Sequence, residues 1–154
     1  MAVASENTKK RAFRMLERRD YARGELIDRL VKKGESLEDA EAAADRLCEL
    51  GLINDENYAG IVARHYARKG FGAARIKQEL YRRFVPRELW DEALSELPEA
   101  DSVVDALLRT KLRTDDPGPA ELKRAADALR RRGYSWDEIK SAIERFDVER
   151  NANL

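Results

Sequence analysis

Residues 67–80 read Ala67-Arg-Lys-Gly-Phe-Gly-Ala-Ala-Arg-Ile-Lys-Gln-Glu-Leu80, and the structure chosen for this segment decides the fold. Two glycines bracket Phe71 and cations crowd both sides, which is the composition of a loop that cradles phosphate. A dinucleotide-binding loop follows a strand and needs a third glycine, and Arg75 holds that place. The apolar residues upstream, Tyr58, Ile61 and Val62, recur instead at helical spacing. The segment is therefore a turn between two helices, with Phe71 anchored in a helical core as Tyr21 is further upstream. No nucleotide cradle is implied.

The helix that follows this turn ends in Leu80-Tyr-Arg-Arg-Phe84, a form that occurs twice more. Leu30-Val-Lys-Lys-Gly34 and Leu129-Arg-Arg-Arg-Gly133 also run from a core leucine through cations to a helix end, at intervals of about 50 residues. The same offset superposes Ser36, Pro86 and Ser135, each suited to starting a helix. It also superposes Ala40, Trp90 and Ile139; Ala43, Ala93 and Ala142; and Leu47, Leu97 and Phe146, one helical face in each copy. One unit is written three times, and each copy divides into three helices. These span Thr8–Arg19, Arg23–Lys33 and Ser36–Leu50; Asp55–Lys69, Gly72–Arg83 and Pro86–Ser95; and Glu99–Arg113, Gly118–Arg132 and Ser135–Phe146. The expected fold is all-α: three tandem three-helix repeats, residues 1–53, 54–97 and 98–154, forming an elongated, curved array. The closing DVERNANL is polar and is expected to fray.

Local signals agree with these boundaries. Ser135-Trp-Asp-Glu138 is a capping box, with Tyr134 and Ile139 placed as its hydrophobic staple. Asn54 is a good N-cap, stapled by Ile53 and Tyr58. Gly34, Gly51 and Gly133 stand where a left-handed residue ends a helix. Asp115-Asp-Pro-Gly-Pro119 is a loop whose last proline suits a first helical turn.

Charged residues make up 39% of the 154, but Lys+Arg and Asp+Glu both total 30, so a general polyanion binder is disfavoured while local patches are not. A chain of this size can bury roughly 68–70% of its unfolded surface, enough to fold without staples. The single cysteine, Cys48, rules out an internal disulfide framework and a cysteine-rich zinc site. The opening MAVASENTKKRAF has no apolar h-region and no later run could span a bilayer, so a cytoplasmic protein is expected. His65 falls on the stripe of Tyr58, Ile61 and Val62 and reads as packing, since a lone histidine lacks the partners that metal or acid–base work requires. Cys48 reads as a small buried hydrophobe, and Trp90 and Trp136 as packing residues. No catalytic constellation, cofactor site or metal site emerges.

The cations are unevenly placed. Arg64, Arg68, Lys69, Arg75, Lys77, Arg82, Arg83 and Arg87 are opposed between them only by Glu79, while Glu88 to Asp101 holds no cation. The third repeat's middle helix ends in Arg130, Arg131 and Arg132. A charged helix end is usually a solvated face matched to its own dipole. Three equivalent ends make a basic stripe, the footprint of a surface that follows a polyanion or an acidic polymer.

Several of these segments form a known pattern. Leu52-Ile-Asn-Asp-Glu-Asn-Tyr-Ala59 and Gly72-Ala-Ala-Arg-Ile-Lys-Gln-Glu-Leu80 resemble the opening and the middle helix of the RecX family's central repeat. Arg19-Asp-Tyr-Ala-Arg-Gly-Glu-Leu26 with Lys32-Lys-Gly34, and Leu129-Arg-Arg-Arg-Gly-Tyr-Ser-Trp-Asp-Glu-Ile139, are similar to its flanking repeats. Two positions depart: Ala22 replaces a capping serine, leaving Asp20 to cap the second helix, and Phe84 replaces a helix-ending glycine. The resemblance implies a non-enzymatic regulator of the RecA recombinase. Such proteins are three tandem three-helix repeats that bind in the groove of the RecA filament on single-stranded DNA. They inhibit its recombinase, ATPase and coprotease activities, and some also bind DNA directly. Arg64, Arg68, Lys69, Arg75, Lys77, Arg82 and Arg83 are the expected contacts, extended by Lys32, Lys33, Arg130, Arg131 and Arg132. A monomer is expected. The competing reading is a free-standing DNA-binding protein of helix-turn-helix-like units, which the neutral total charge disfavours.

Overall fold

Residues 3–153 are described by the structure, a computed structural model. Among them are nine α-helices and no strand, as the helical spacing predicts. They are α1 (Glu6–Arg18), α2 (Arg23–Lys32), α3 (Leu37–Glu49), α4 (Asp55–Arg68), α5 (Ala73–Arg82), α6 (Trp90–Ser95), α7 (Asp101–Lys111), α8 (Pro119–Arg131) and α9 (Trp136–Ala152). A single 3-10 turn, Arg87–Leu89, leads into α6, so Pro86 precedes that turn instead of opening an α-helix.

Two compact units form. The first takes the chain through Val62 and then Glu79–Ser95; the second takes Ala63–Gln78 and the chain from Glu96. Helices α4 and α5 each give residues to both.

In the first unit, Ala12, Met15, Leu26, Leu30, Ala40, Ala43, Ala44, Leu47 and Ile53 make a core between α1, α2 and α3. Helix α1 starts two residues before Thr8, because Ser5 caps it: the Ser5 hydroxyl accepts the Thr8 N–H at 3.2 Å. Thr8 itself is fully buried and donates to a Glu35 carboxylate oxygen at 2.7 Å. Cys48 is half-buried against this core, and burial pushes its thiol up from the usual range. Helix α2 corrects the expected cap. The Arg23 N–H donates not to Asp20 but to Asp55 Oδ1, 2.8 Å away at the start of α4. Glu25, buried, accepts the Ala22 N–H at 3.2 Å and Arg19 Nη2 at 3.0 Å. One orphan donor of the first turn of α2 is thus met from the LINDENYA segment instead of by a capping side chain of its own.

Phe84 adopts the backbone that its glycine counterparts adopt. Its φ is 58°, the one positive φ outside glycine among the described residues, against 101° at both Gly34 and Gly133. The cost of a left-handed side-chain residue is roughly 1–2 kcal/mol, and Gly24 lies close beside it: a Cβ built at Gly24 would lie 3.0 Å from Phe84 Cβ.

In the second unit, Val104, Leu108, Ala125, Ala126, Leu129, Tyr134, Ile139 and Ala142 are buried between α7, α8 and α9. Fully burying a side chain such as Leu129 or Ile139 contributes about 1.5–3 kcal/mol. The terminal segment does not fray as expected: α9 continues to Ala152. Exposed ion pairs line its far end, Arg109 with Glu149 and Arg150 with Asp116, the latter at 3.0 Å, while Arg145 pairs with the less exposed Asp105 at 2.8 Å. Leu154, the last residue of DVERNANL, lies outside the described residues.

The glycine turn Gly70-Phe-Gly72 also lies in this unit, docked on the end of α8. The Gly72 N–H donates to the Arg132 carbonyl at 2.8 Å and the Ala74 N–H to the Gly133 carbonyl at 3.1 Å. The orphan donors at the start of α5 therefore meet orphan acceptors at the end of α8. No side chain fits between them: a Cβ on Gly72 would lie 2.5 Å from the Gly133 carbonyl carbon and oxygen.

Candidate interaction surface

Within the second unit, that backbone contact gathers the expected cations around two aromatic rings. Tyr66 and Phe71 stand 5.9 Å apart. The Arg75 guanidinium lies 5.3 Å from the Phe71 ring centre and that of Arg132 lies 5.0 Å from it, one from α5 and the other just past α8. Lys69 Nζ lies 5.8 Å from the Tyr66 ring. Phe71 is thus half-buried beneath two guanidinium groups, a cation–π arrangement that fixes where both charges point.

Arg64 and Arg68 are four residues apart on α4 and so share a face. With Lys69, Lys77 and Arg131 they are exposed and make no ion pair among the described residues. Arg130 is exposed too; it donates to the Tyr134 carbonyl at 3.3 Å and lies 5.5 Å from the Trp136 ring. The start of α5 has no carboxylate in its first turn, so its positive end adds to this field.

In the first unit the expected cations are more engaged. Arg82 pairs with Glu79 at 3.3 Å and Arg83 with the same carboxylate at 2.5 Å, and Glu79 is only 4% exposed. Those two arginines hold a buried charge in place. Lys32 pairs with Asp28 at 2.9 Å; Lys33 is exposed and makes no ion pair among the described residues.

Two residues sit elsewhere than the spacing placed them. His65 is exposed, its ring edge-on to Tyr66 at 5.2 Å, because it stands just outside the buried arc of Tyr58, Val62 and Ala63. Trp136 is 54% exposed, not packed. It is the first residue after the Ser135 cap, and the repeat alignment carried the signal: its counterparts Leu37 and Arg87 are exposed as well. Trp90 does pack, half-buried, with its indole N–H donating to the Val85 carbonyl at 3.0 Å. Burial pushes the Tyr134 hydroxyl up, with nearby Arg132 opposing it, and does the same to Tyr58 beside Glu25. No group of three or more histidine, cysteine or carboxylate side chains is placed to hold a metal among the described residues. No helix there is long and apolar enough to cross a membrane.

Residues 9–47 match the model of the first three-helix domain of RecX, and residues 54–94 match that of the second. A protein named Regulatory protein RecX from Xanthomonas axonopodis pv. citri (strain 306) is 35% identical over 142 residues, covering 90% of this chain and 86% of its own. The chain belongs to the RecX family. Another Regulatory protein RecX, from Trichlorobacter lovleyi, is 37% identical over 141 residues, with 87% and 92% of the two chains covered. The crystal structure of RecX from Lactobacillus salivarius superposes with a TM-score of 0.84 at 21% identity, covering 92% of this chain and 96% of that one. RecX membership and the all-α, tandem three-helix architecture agree with the expectations from sequence. The family models place Asp55, at the α2 cap, and the Gly70–Arg75 turn inside the second domain.

Proposed function

We propose that this RecX-family chain is a non-enzymatic regulator that binds in the groove of the RecA filament on single-stranded DNA. There it inhibits the recombinase, ATPase and coprotease activities and so controls recombination and repair. It acts as a cytoplasmic monomer, and its three repeats, 1–53, 54–97 and 98–154, each add modest contacts that sum through their linkage. The observation that carries the reading is the set of exposed cations without ion partners among the described residues, Arg64, Arg68, Lys69 and Lys77, in the same unit as the Phe71 ring that orients Arg75 and Arg132. Cations already paired within a protein give up that pairing on binding; these do not. Arg130 and Arg131 extend the surface in the second unit, and Lys32, Lys33, Arg82 and Arg83 contribute from the first.

A free-standing DNA-binding protein is the second reading, and the formal net charge of zero weighs against it. The test is charge reversal where no internal pair is broken: Arg64→Glu, Arg68→Glu and Lys77→Glu together. Each site is exposed, so the fold tolerates the change to within about 0.5 kcal/mol per site. The triple variant should lose inhibition of RecA's DNA-dependent ATP hydrolysis while its unfolding transition stays near wild type. Full inhibition by a folded triple variant refutes the assignment.

A further inference from the structure

We propose that the corner formed by Trp136 and Arg130 is a docking point for a protein surface offering an apolar recess bordered by a carboxylate. Resting on the filament reading above, this partner is the protein component of the filament and not its nucleic acid.

Trp136 stands outside the core and is held there by its own helix start. The Ser135 hydroxyl accepts the Glu138 N–H at 3.1 Å, and Glu138 Oε1 accepts the Ser135 N–H at 2.9 Å. That reciprocal cap fixes the turn on which the indole is carried. Arg130 is fixed as well, by its bond to the Tyr134 carbonyl at 3.3 Å and by the Trp136 ring 5.5 Å from its guanidinium carbon. The cap fixes the backbone that carries the indole, and the contact between ring and guanidinium restricts both side chains, which lowers the entropy cost of docking. Tryptophan and arginine are the residues most enriched among interface hot spots, and here they form one pair. The indole N–H makes no hydrogen bond among the described residues, so it is a donor ready for a partner's acceptor. The equivalent position is open in each repeat, as Leu37 and Arg87, but only the third repeat places a tryptophan there.

The neighbouring charges select the partner. Asp137 follows directly, is exposed and makes no ion pair among the described residues, so a phosphodiester strand at this corner would meet a carboxylate. Arg130 already covers the indole, which a stacking base would have to displace. A protein recess accepts the ring and its N–H, and a carboxylate at its border meets Arg130 and Arg131.

Hydroxyl-radical footprinting read by mass spectrometry tests this on the full chain, with a single-stranded oligonucleotide alone and with the same oligonucleotide coated by RecA. Oxidation of Trp136 should fall several-fold with the coated strand and stay unchanged with the naked one. Trp136→Ala should weaken co-sedimentation with coated strands by about tenfold or more, with Trp136→Phe intermediate and both unfolding like wild type. Failure of the wild type to bind coated strands overturns the filament reading and this inference with it. Normal binding with Trp136 unprotected and Trp136→Ala unimpaired overturns the inference alone. Protection by the naked oligonucleotide overturns it in favour of a nucleic-acid contact.

Discussion

Gly72→Ala isolates the contact on which the basic cluster is built. The substitution brings no backbone strain, since Gly72 has no positive φ. The penalty is steric. The added methyl would lie 2.5 Å from the Gly133 carbonyl carbon and oxygen and 2.6 Å from the Tyr134 nitrogen, all backbone atoms that cannot rotate aside. Overpacking of this kind costs about 1–3 kcal/mol. Separating the two backbones also breaks the Gly72 N–H bond to Arg132 and that of Ala74 to Gly133, each contributing about 0.5–1.5 kcal/mol. The sum, about 2–6 kcal/mol, is a large part of the 5–15 kcal/mol typical of a domain. Urea unfolding followed by circular dichroism gives the difference directly. Gly118→Ala is the control: nothing lies within 4 Å of its added Cβ and its φ is −77°, so the change should stay below about 1 kcal/mol. Equal stabilities for the two variants would refute the close approach, and with it the account of how Arg75 and Arg132 come to share one ring.

Asp55→Ala should destabilise by about 1 kcal/mol through loss of the α2 cap, whereas Asp20→Ala should leave the thermal midpoint unchanged. Arg83→Glu should cost about 1–3 kcal/mol in urea unfolding, because it deprives buried Glu79 of a bonded partner, and Arg83→Glu with Glu79→Gln should recover part of it. Tyr58 and Tyr134 carry hydroxyls raised by burial above their ordinary value near 10, so the folded chain holds those protons more tightly than the unfolded chain. Their contribution is whole below that value and is lost as pH rises through the raised native values. Stability should therefore fall as pH rises past the ordinary tyrosine value of about 10, and fall less in the Tyr58→Phe, Tyr134→Phe double variant.

The helices were legible because apolar spacing and capping residues act locally. Ser36, Asn54 and Ser135 each cap the helix assigned to them, accepting the N–H three residues on. The glycine turn was readable as a turn for the same reason. What it docks against was not, because nothing in residues 70–75 records the carbonyls of Arg132 and Gly133. Asp55 escaped notice as a cap because its partner, the Arg23 N–H, lies 32 positions away. Helix α9 runs past its expected end, and the partners its last turns meet, Arg109 and Asp116, lie 40 and 34 positions away and are not recorded in its own polar sequence. Among the candidate cations, sequence located the charge but not its engagement. Arg82 and Arg83 look equivalent to Arg131 and Arg132 by alignment, yet the first pair holds buried Glu79, a counter-ion absent from the matching place in the third repeat.

The most direct measurement compares binding of the wild-type chain to one fluorescent single strand, naked and coated with RecA, at low and high salt. Tighter binding to the coated strand, lost in the Arg64→Glu, Arg68→Glu, Lys77→Glu variant, is the predicted result. Equal or tighter binding to the naked strand, with a steep salt dependence, would contradict a filament-directed surface.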